Sequence, residues 1–230
     1  MTIDGFQPMT LLDFPHKVGC IVFLKGCNFR CPFCHNGPLV EGKGERPAPA
    51  LALETFRDFL RRRQGLLDGV CVSGGEPLLN SQLSQLLEAV KEQGFLVKVD
   101  TNGSFPHKLR ELWKSGLVDY VAMDIKNSPA RYAETAGVAE LDLTPIRESV
   151  AWLLEGHVDY EFRTTVVRQF HDAASFAAIG PWIAGARRYF LQTFTQRDTV
   201  LRGGLSAWDG ETMEHFAAQM RPYVAHVEVR

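Results

Sequence analysis

Seven short apolar runs punctuate the chain, at residues 18–24, 70–73, 96–100, 118–125, 160–167, 189–192 and 224–229. They are rich in β-branched and aromatic residues and too short for helices, so they predict strands. Between them, apolar residues recur at helical spacing. Leu83, Leu86, Leu87 and Val90 fall at i, i+3, i+4 and i+7, and Leu53, Phe56 and Leu60 form a second stripe. Further stripes are Leu109, Leu112 and Trp113; Ile146, Val150, Leu153 and Leu154; Phe176, Ile179 and Ile183; and Met213, Phe216 and Met220. Gly94 and Gly116 stand where two of these helices would stop.

Strand–helix alternation of this kind predicts an α/β fold of parallel strands joined by right-handed crossovers. Six units fall short of an eight-fold barrel, so an open or partial (β/α)6 barrel with outer helices is expected, as one domain over residues 1–230. Its site should lie at the C-terminal ends of the strands, where the following loops converge. Residues 38–50, rich in Gly, Pro and charge, read as a loop after the first strand.

Composition narrows the function classes. A 45% hydrophobic chain of 230 residues can bury a large core, and a net charge of −2 gives no electrostatic footprint for nucleic acid or an anionic membrane. The opening residues MTIDGFQPMT lack a basic segment followed by an apolar run, and no stretch reaches the roughly 18–20 apolar residues of a spanning helix. The expected compartment is the cytoplasm.

Five cysteines without an export signal argue against a disulfide framework. Cys20 and Cys71 sit inside strand runs and read as core. The others, Cys27, Cys31 and Cys34, form C-x3-C-x2-C in a loop directly after the first expected strand. Thiolates suit iron–sulfur clusters or zinc, and three of them leave one iron of a cubane open to a ligand. A zinc site with His35 as fourth ligand competes, although adjacent Cys34 and His35 are awkward in a tetrahedral knuckle and no second C-x2-C pair exists.

Other strand ends carry polar chemistry. Gly74-Gly75-Glu76-Pro77 follows the second run, and paired glycines allow close backbone approach, though a plain turn would also use them. Asp100-Thr101-Asn102-Gly103 ends the third; it too is good turn chemistry. Asp124 and Lys126 alternate with Met123 and Ile125 and share one strand face, where charge is costly unless paired or ligand-bound. Arg163 could meet a ligand or simply pair with Glu161, and Gln192 is similarly placed.

The segment CNFRCPFC resembles the signature of the radical S-adenosylmethionine (SAM) superfamily. The wider stretch, from Gly5-Phe-Gln-Pro through Val22-Phe-Leu-Lys-Gly-Cys to Cys34-His-Asn, resembles the activating enzymes of anaerobic ribonucleoside-triphosphate reductase, and more distantly pyruvate formate-lyase activase. The resemblance implies a [4Fe–4S] cluster on Cys27, Cys31 and Cys34 whose fourth iron chelates SAM. Reductive cleavage then gives methionine and a 5′-deoxyadenosyl radical. It implies Phe33 near the adenine, and Gly74, Gly75 and Glu76 at the SAM amino group. Asp100 and Thr101 would stand at a monovalent cation beside the SAM carboxylate, with Asp124 and Lys126 contacting SAM and the cation. Arg163 is carried as a further SAM contact. The implied partners are the large subunit of a glycyl radical reductase and a flavodoxin- or ferredoxin-type electron donor. Activation of another glycyl radical enzyme, a small-molecule reaction like that of 7-carboxy-7-deazaguanine synthase, and a non-catalytic zinc loop are the alternatives.

Overall fold

The computed structural model describes residues 1–41 and 50–230, divided between two compact units that the chain enters alternately. The first comprises residues 1–28, 38–101 and 105–121; the second comprises residues 29–37, 102–104 and 122–230.

In the first unit, β1 (Thr2–Ile3) pairs antiparallel with β4 (Leu51–Ala52), and β2 (Gly5–Thr10), β3 (Gly19–Leu24), β5 (Gly69–Gly74) and β6 (Leu96–Thr101) are neighbours in that order. The β3–β5 and β5–β6 pairs are parallel, and the register aligns Ile21 with Cys71 and Cys71 with Lys98. Strand β2 joins β3 antiparallel. The hydropathy pattern missed β2 because Gln7, Pro8 and Met9 are exposed and proline cannot donate to a ladder, which confines it to sheet edges. Cys20 and Cys71 are both fully buried, as expected for core residues.

Helices α2 (Leu53–Arg61) and α3 (Leu83–Lys91) turn their apolar stripes inward: Leu53, Phe56 and Leu60 from one, Leu83, Leu86, Leu87 and Val90 from the other, are buried. Each such side chain contributes about 1.5–3 kcal/mol relative to exposure. In α4 (Pro106–Lys114), Leu109 and Leu112 are buried, while Trp113 is only half-buried. Gly94 and Gly116, at φ +83° and +70°, adopt the left-handed conformation that stops a helix. The loop expected at 38–50 is corrected in its first part: α1 (Gly37–Glu41) is a short helix, and residues 42–49 lie outside the described residues.

The second unit holds the end of β7 (Tyr120–Asp124), then β8 (Asp159–Val166), β9 (Arg188–Thr193) and β10 (His226–Val229), with β8–β9 and β9–β10 parallel. Its helices are α5 (Tyr132–Ala136), which the sequence pattern did not reveal, α6 (Thr144–Leu154), α7 (Ala173–Trp182) and α8 (Gly210–Met220). A reciprocal cap between Asp172 and Ser175 starts α7, and Phe176 stacks on Phe216 of α8 with ring centroids 4.6 Å apart. All seven expected strands form, and the α/β class with a mostly parallel sheet stands. Among the described residues no helix is long and apolar enough to cross a membrane.

Candidate functional site

The expected site residues fall into two groups, one in each unit. In the first unit, the glycine pair after β5 is needed for close packing on the chain leaving β3. A Cβ on Gly75 would lie 2.0 Å from the carbonyl oxygen of Gly26 and 3.2 Å from Cys27 Cβ. One on Gly74, at φ +122°, would lie 2.2 Å from the Leu24 carbonyl oxygen. Two hydrogen bonds seal the contact, Gly75 N–H to Leu24 O at 2.9 Å and Glu76 N–H to Gly26 O at 2.8 Å. The segment that delivers Cys27 is thus bolted to the Gly-Gly-Glu turn.

Glu76 is buried, and its Oε1 accepts from the Leu78 amide at 3.0 Å and from Thr101 Oγ1 at 2.9 Å. It therefore caps the turn at Pro77–Leu79 and ties it to the end of β6. Lys108 of α4 buttresses the same turn, donating to the carbonyls of Leu78 at 2.7 Å and Asn80 at 2.5 Å. Burial lowers its pKa, with Glu76 pulling the other way. Asp100 pairs with Lys98, whose Nζ lies 2.5 Å from Oδ1. Neither lysine stood out in the sequence.

In the second unit, the cysteine loop is held by its backbone. Arg30 N–H donates to Ala136 O at 2.8 Å, Cys34 N–H to Cys31 O at 3.0 Å, and Arg202 N–H to Pro32 O at 2.9 Å. His35 stacks on Phe194 with centroids 5.6 Å apart, and its Nε2 lies 2.7 Å from the Thr195 carbonyl oxygen. One ring nitrogen of His35, the residue the zinc reading names as fourth ligand, is thus engaged with the chain after β9. Phe33 is buried against Phe170 and His171, at centroid distances of 5.9 and 6.2 Å. The aromatic between the last two cysteines therefore covers the loop.

Beside this loop stands a charged triplet. Asp124 receives Lys126 Nζ on Oδ2 at 2.9 Å and Arg163 Nε on Oδ1 at 3.1 Å. Arg163 also approaches Glu161, at 4.0 Å, so Asp124 stands among its partners beside the Glu161 named in the sequence reading. Burial pushes the Asp124 carboxyl upward, but the charges of Lys126 and then Arg163 more than offset it and hold the pKa at about 2. For Lys126 burial acts downward, and Asp124, with Cys31 behind it, raises the pKa above the ordinary lysine value. Burial pushes the Cys34 thiol up, while Lys126 pulls it down. The structure thus brings Cys31, Cys34, Asp124, Lys126 and Arg163 into one electrostatic neighbourhood.

Cys27 belongs to the first unit, and among the described residues no three or more His, Cys, Asp or Glu side chains are gathered to hold a metal ion. Asn102 makes the expected turn, its Oδ1 accepting from Ser104 N–H at 3.0 Å, with Gly103 at φ +78°. Sequence reasoning missed His171, a buried histidine between Lys126 and Phe33, which carries no local signal beyond its place after β8.

An α/β protein with a mostly parallel sheet and a three-thiol loop directly after β3 is the class these features define. Residues 21–173 match the radical SAM superfamily, and the chain belongs to that family. It is 32% identical over 203 residues to a Methanocaldococcus jannaschii protein provisionally named as a glycyl-radical enzyme activating enzyme, covering 85% of this chain and 81% of that one. It is 30% identical over 126 residues to 7-carboxy-7-deazaguanine synthase of Thermococcus kodakarensis, covering 47% of this chain and 49% of that one. The fold is also that of a radical SAM methyltransferase from Sphaerobacter thermophilus, at TM-score 0.71 and 16% identity over 96% of this chain and 68% of that one.

Membership implies a [4Fe–4S] cluster and SAM. The donor chemistry fits the cluster: all three loop cysteines are thiols outside any disulfide, and a lysine cation lies within electrostatic reach of two of them. At Asp100, where the resemblance implies a monovalent cation, the Lys98 ammonium already lies on one carboxylate oxygen.

Proposed function

We propose that this chain cleaves SAM reductively and uses the resulting radical to activate a glycyl radical enzyme, with anaerobic ribonucleoside-triphosphate reductase as the protein substrate. The observation that carries the reading is the likeness to the M. jannaschii protein, which extends over 85% of this chain and 81% of that protein's length. In this reading Cys27, Cys31 and Cys34 hold the cluster. Bound there, a [4Fe–4S] cluster would supply the one-electron reduction by which a carbon–sulfur bond of SAM is cleaved.

The chain's own residues bind and orient. Gly74, Gly75 and Glu76 offer a turn rigidified by Thr101 and Lys108 to the SAM amino group. Lys126 and Arg163, already ordered on Asp124, are cations offered to the SAM carboxylate or ribose. Phe33, packed on Phe170 and His171, supplies an apolar surface for the adenine. Asp100 and Thr101, at the end of β6, are carried in this reading as further cofactor contacts. The reductant is an electron donor of flavodoxin or ferredoxin type.

Anaerobically reconstituted protein with SAM and reductant should form 5′-deoxyadenosine faster when the large reductase subunit is added, and that subunit should gain a glycyl doublet in electron paramagnetic resonance. Turnover that is unchanged by every glycyl radical enzyme offered, but rises with a small molecule in a partner-free assay and yields 7-carboxy-7-deazaguanine, would favour the 7-carboxy-7-deazaguanine synthase reading, which the 30% likeness supports.

A further inference from the structure

Lys98 and Asp100 stand two residues apart on β6 and therefore project from the same face of the sheet. Lys98 is only 1% exposed, whereas the Asp100 side chain retains 14% exposure. Lysine is almost never buried to this extent unless its charge is paired, and the partner here is Asp100, on the strand that ends at the Thr101–Glu76 hydrogen bond. A metal cation bound to the same carboxylate would meet the ammonium as a like charge within a few ångströms, away from bulk water. In the second unit Asp124 is bracketed in the same way by Lys126 and Arg163.

We infer that Lys98 is a built-in cation for Asp100: a positioning residue that orders the end of β6 and removes any need for an exchangeable monovalent cation in SAM binding. The inference takes SAM as the ligand from the function proposed above, but the pairing of Lys98 with Asp100 stands without it. An exchangeable cation would make SAM affinity depend on the salt present. A covalently tethered one makes affinity indifferent to salt identity and transfers the dependence to a variant lacking the ammonium.

The test compares wild type, Lys98→Ala and Lys98→Arg in choline, sodium, potassium and ammonium chloride at equal ionic strength. SAM affinity is measured by equilibrium dialysis on reconstituted protein, and thermal midpoints are measured on protein without cluster. Wild type should bind SAM with the same affinity in all four salts. Lys98→Ala should lose about tenfold in choline, about 1.4 kcal/mol, and recover part of it in potassium, sodium or ammonium. The cluster-free Lys98→Ala protein should melt higher in ammonium or potassium than in choline, with wild type and Lys98→Arg unmoved. Wild-type affinity or melting that requires sodium or potassium overturns the inference, even if Lys98→Ala fails to fold. So does a Lys98→Ala protein that matches wild type in choline. Absence of SAM binding in every salt would instead sink the proposed function, while the melting arm still decides the role of Lys98.

Discussion

His171 joins the backbone of Lys126 to the aromatic of the cysteine loop. Its Nε2 donates to the Lys126 carbonyl oxygen at 2.8 Å, its Nδ1 accepts from the Val167 amide at 3.1 Å, and the ring edge faces Phe33. Those two bonds fix the neutral tautomer with the proton on Nε2. Trp208 Nε1–H, donating to the His171 carbonyl at 2.8 Å, holds the histidine from the other side.

That neutrality sets a pH dependence of stability. Burial lowers the His171 pKa from 6.5 to about 4. Between those values the unfolded chain binds a proton that the folded chain refuses, so stability falls as pH drops through 6.5 and the loss levels off below 4. The full effect is about 3 kcal/mol. Urea unfolding of cluster-free protein at pH 7.5 and pH 5 should show about 2 kcal/mol of this loss, the remainder appearing only towards pH 4, and His171→Gln should remove most of the difference. Equal pH dependence in both proteins would show that His171 is not the group responsible.

Gly75→Ala should separate the two reasons for a glycine. At Gly75 an added Cβ strikes backbone at 2.0 Å, and the struck carbonyl belongs to the residue before Cys27. At Gly94 nothing lies within 4 Å, and only the left-handed conformation opposes a side chain. Gly94→Ala should cost about 1 kcal/mol and leave iron loading unchanged. Gly75→Ala should cost about 3 kcal/mol and lower the iron bound after anaerobic reconstitution. Normal iron content in Gly75→Ala would detach the glycine turn from the cysteine loop.

The zinc alternative can be tested at His35. With its ring stacked on Phe194 and Nε2 engaged with the Thr195 carbonyl, His35→Ala should lose one hydrogen bond, about 1 kcal/mol of stability, and retain iron and sulfide. Replacing Cys27, Cys31 or Cys34 by alanine should abolish iron loading, whereas Cys20→Ala and Cys71→Ala should load normally. Metal analysis returning zinc in wild type and none in His35→Ala would reverse the assignment.

The strands were legible because β-branched and aromatic runs such as Gly19–Leu24 and Gly69–Gly74 are almost wholly buried, and burial on both faces leaves a continuous apolar signature. Strand β2 was not, since a proline-bearing edge strand needs only part of its length covered. The site's residue types were legible for a related reason: Asp124 between Met123 and Ile125 is a charge where hydropathy asks for none. Lys98 carries the same signal inside Val97-Lys98-Val99, but its importance depends on Asp100 being its partner, a contact of side-chain conformation rather than of pattern. The anchoring of the cysteine loop through Pro32 and Arg202 links residues 170 positions apart by backbone groups, which have no residue-specific signature.

Asp124 is the hub of the second unit's charges, and removing it should cost more than removing either cation. With one oxygen on Lys126 and the other on Arg163, Asp124→Asn leaves two positive charges facing each other with no carboxylate between them. Arg163→Met leaves the Lys126 pair intact. The Asp124 side chain keeps 30% exposure, so solvent screens part of the loss and the cost lies below that of a fully buried pair, at about 2 kcal/mol for Asp124→Asn and about 1 kcal/mol for Arg163→Met. The double variant should cost less than the sum, because the Arg163–Asp124 bond is already lost once Asp124 is gone. Urea unfolding of the four proteins measures the coupling directly. Strict additivity would mean that the two side chains act independently and that Arg163 is held in place by Glu161 or by the strand, not by Asp124.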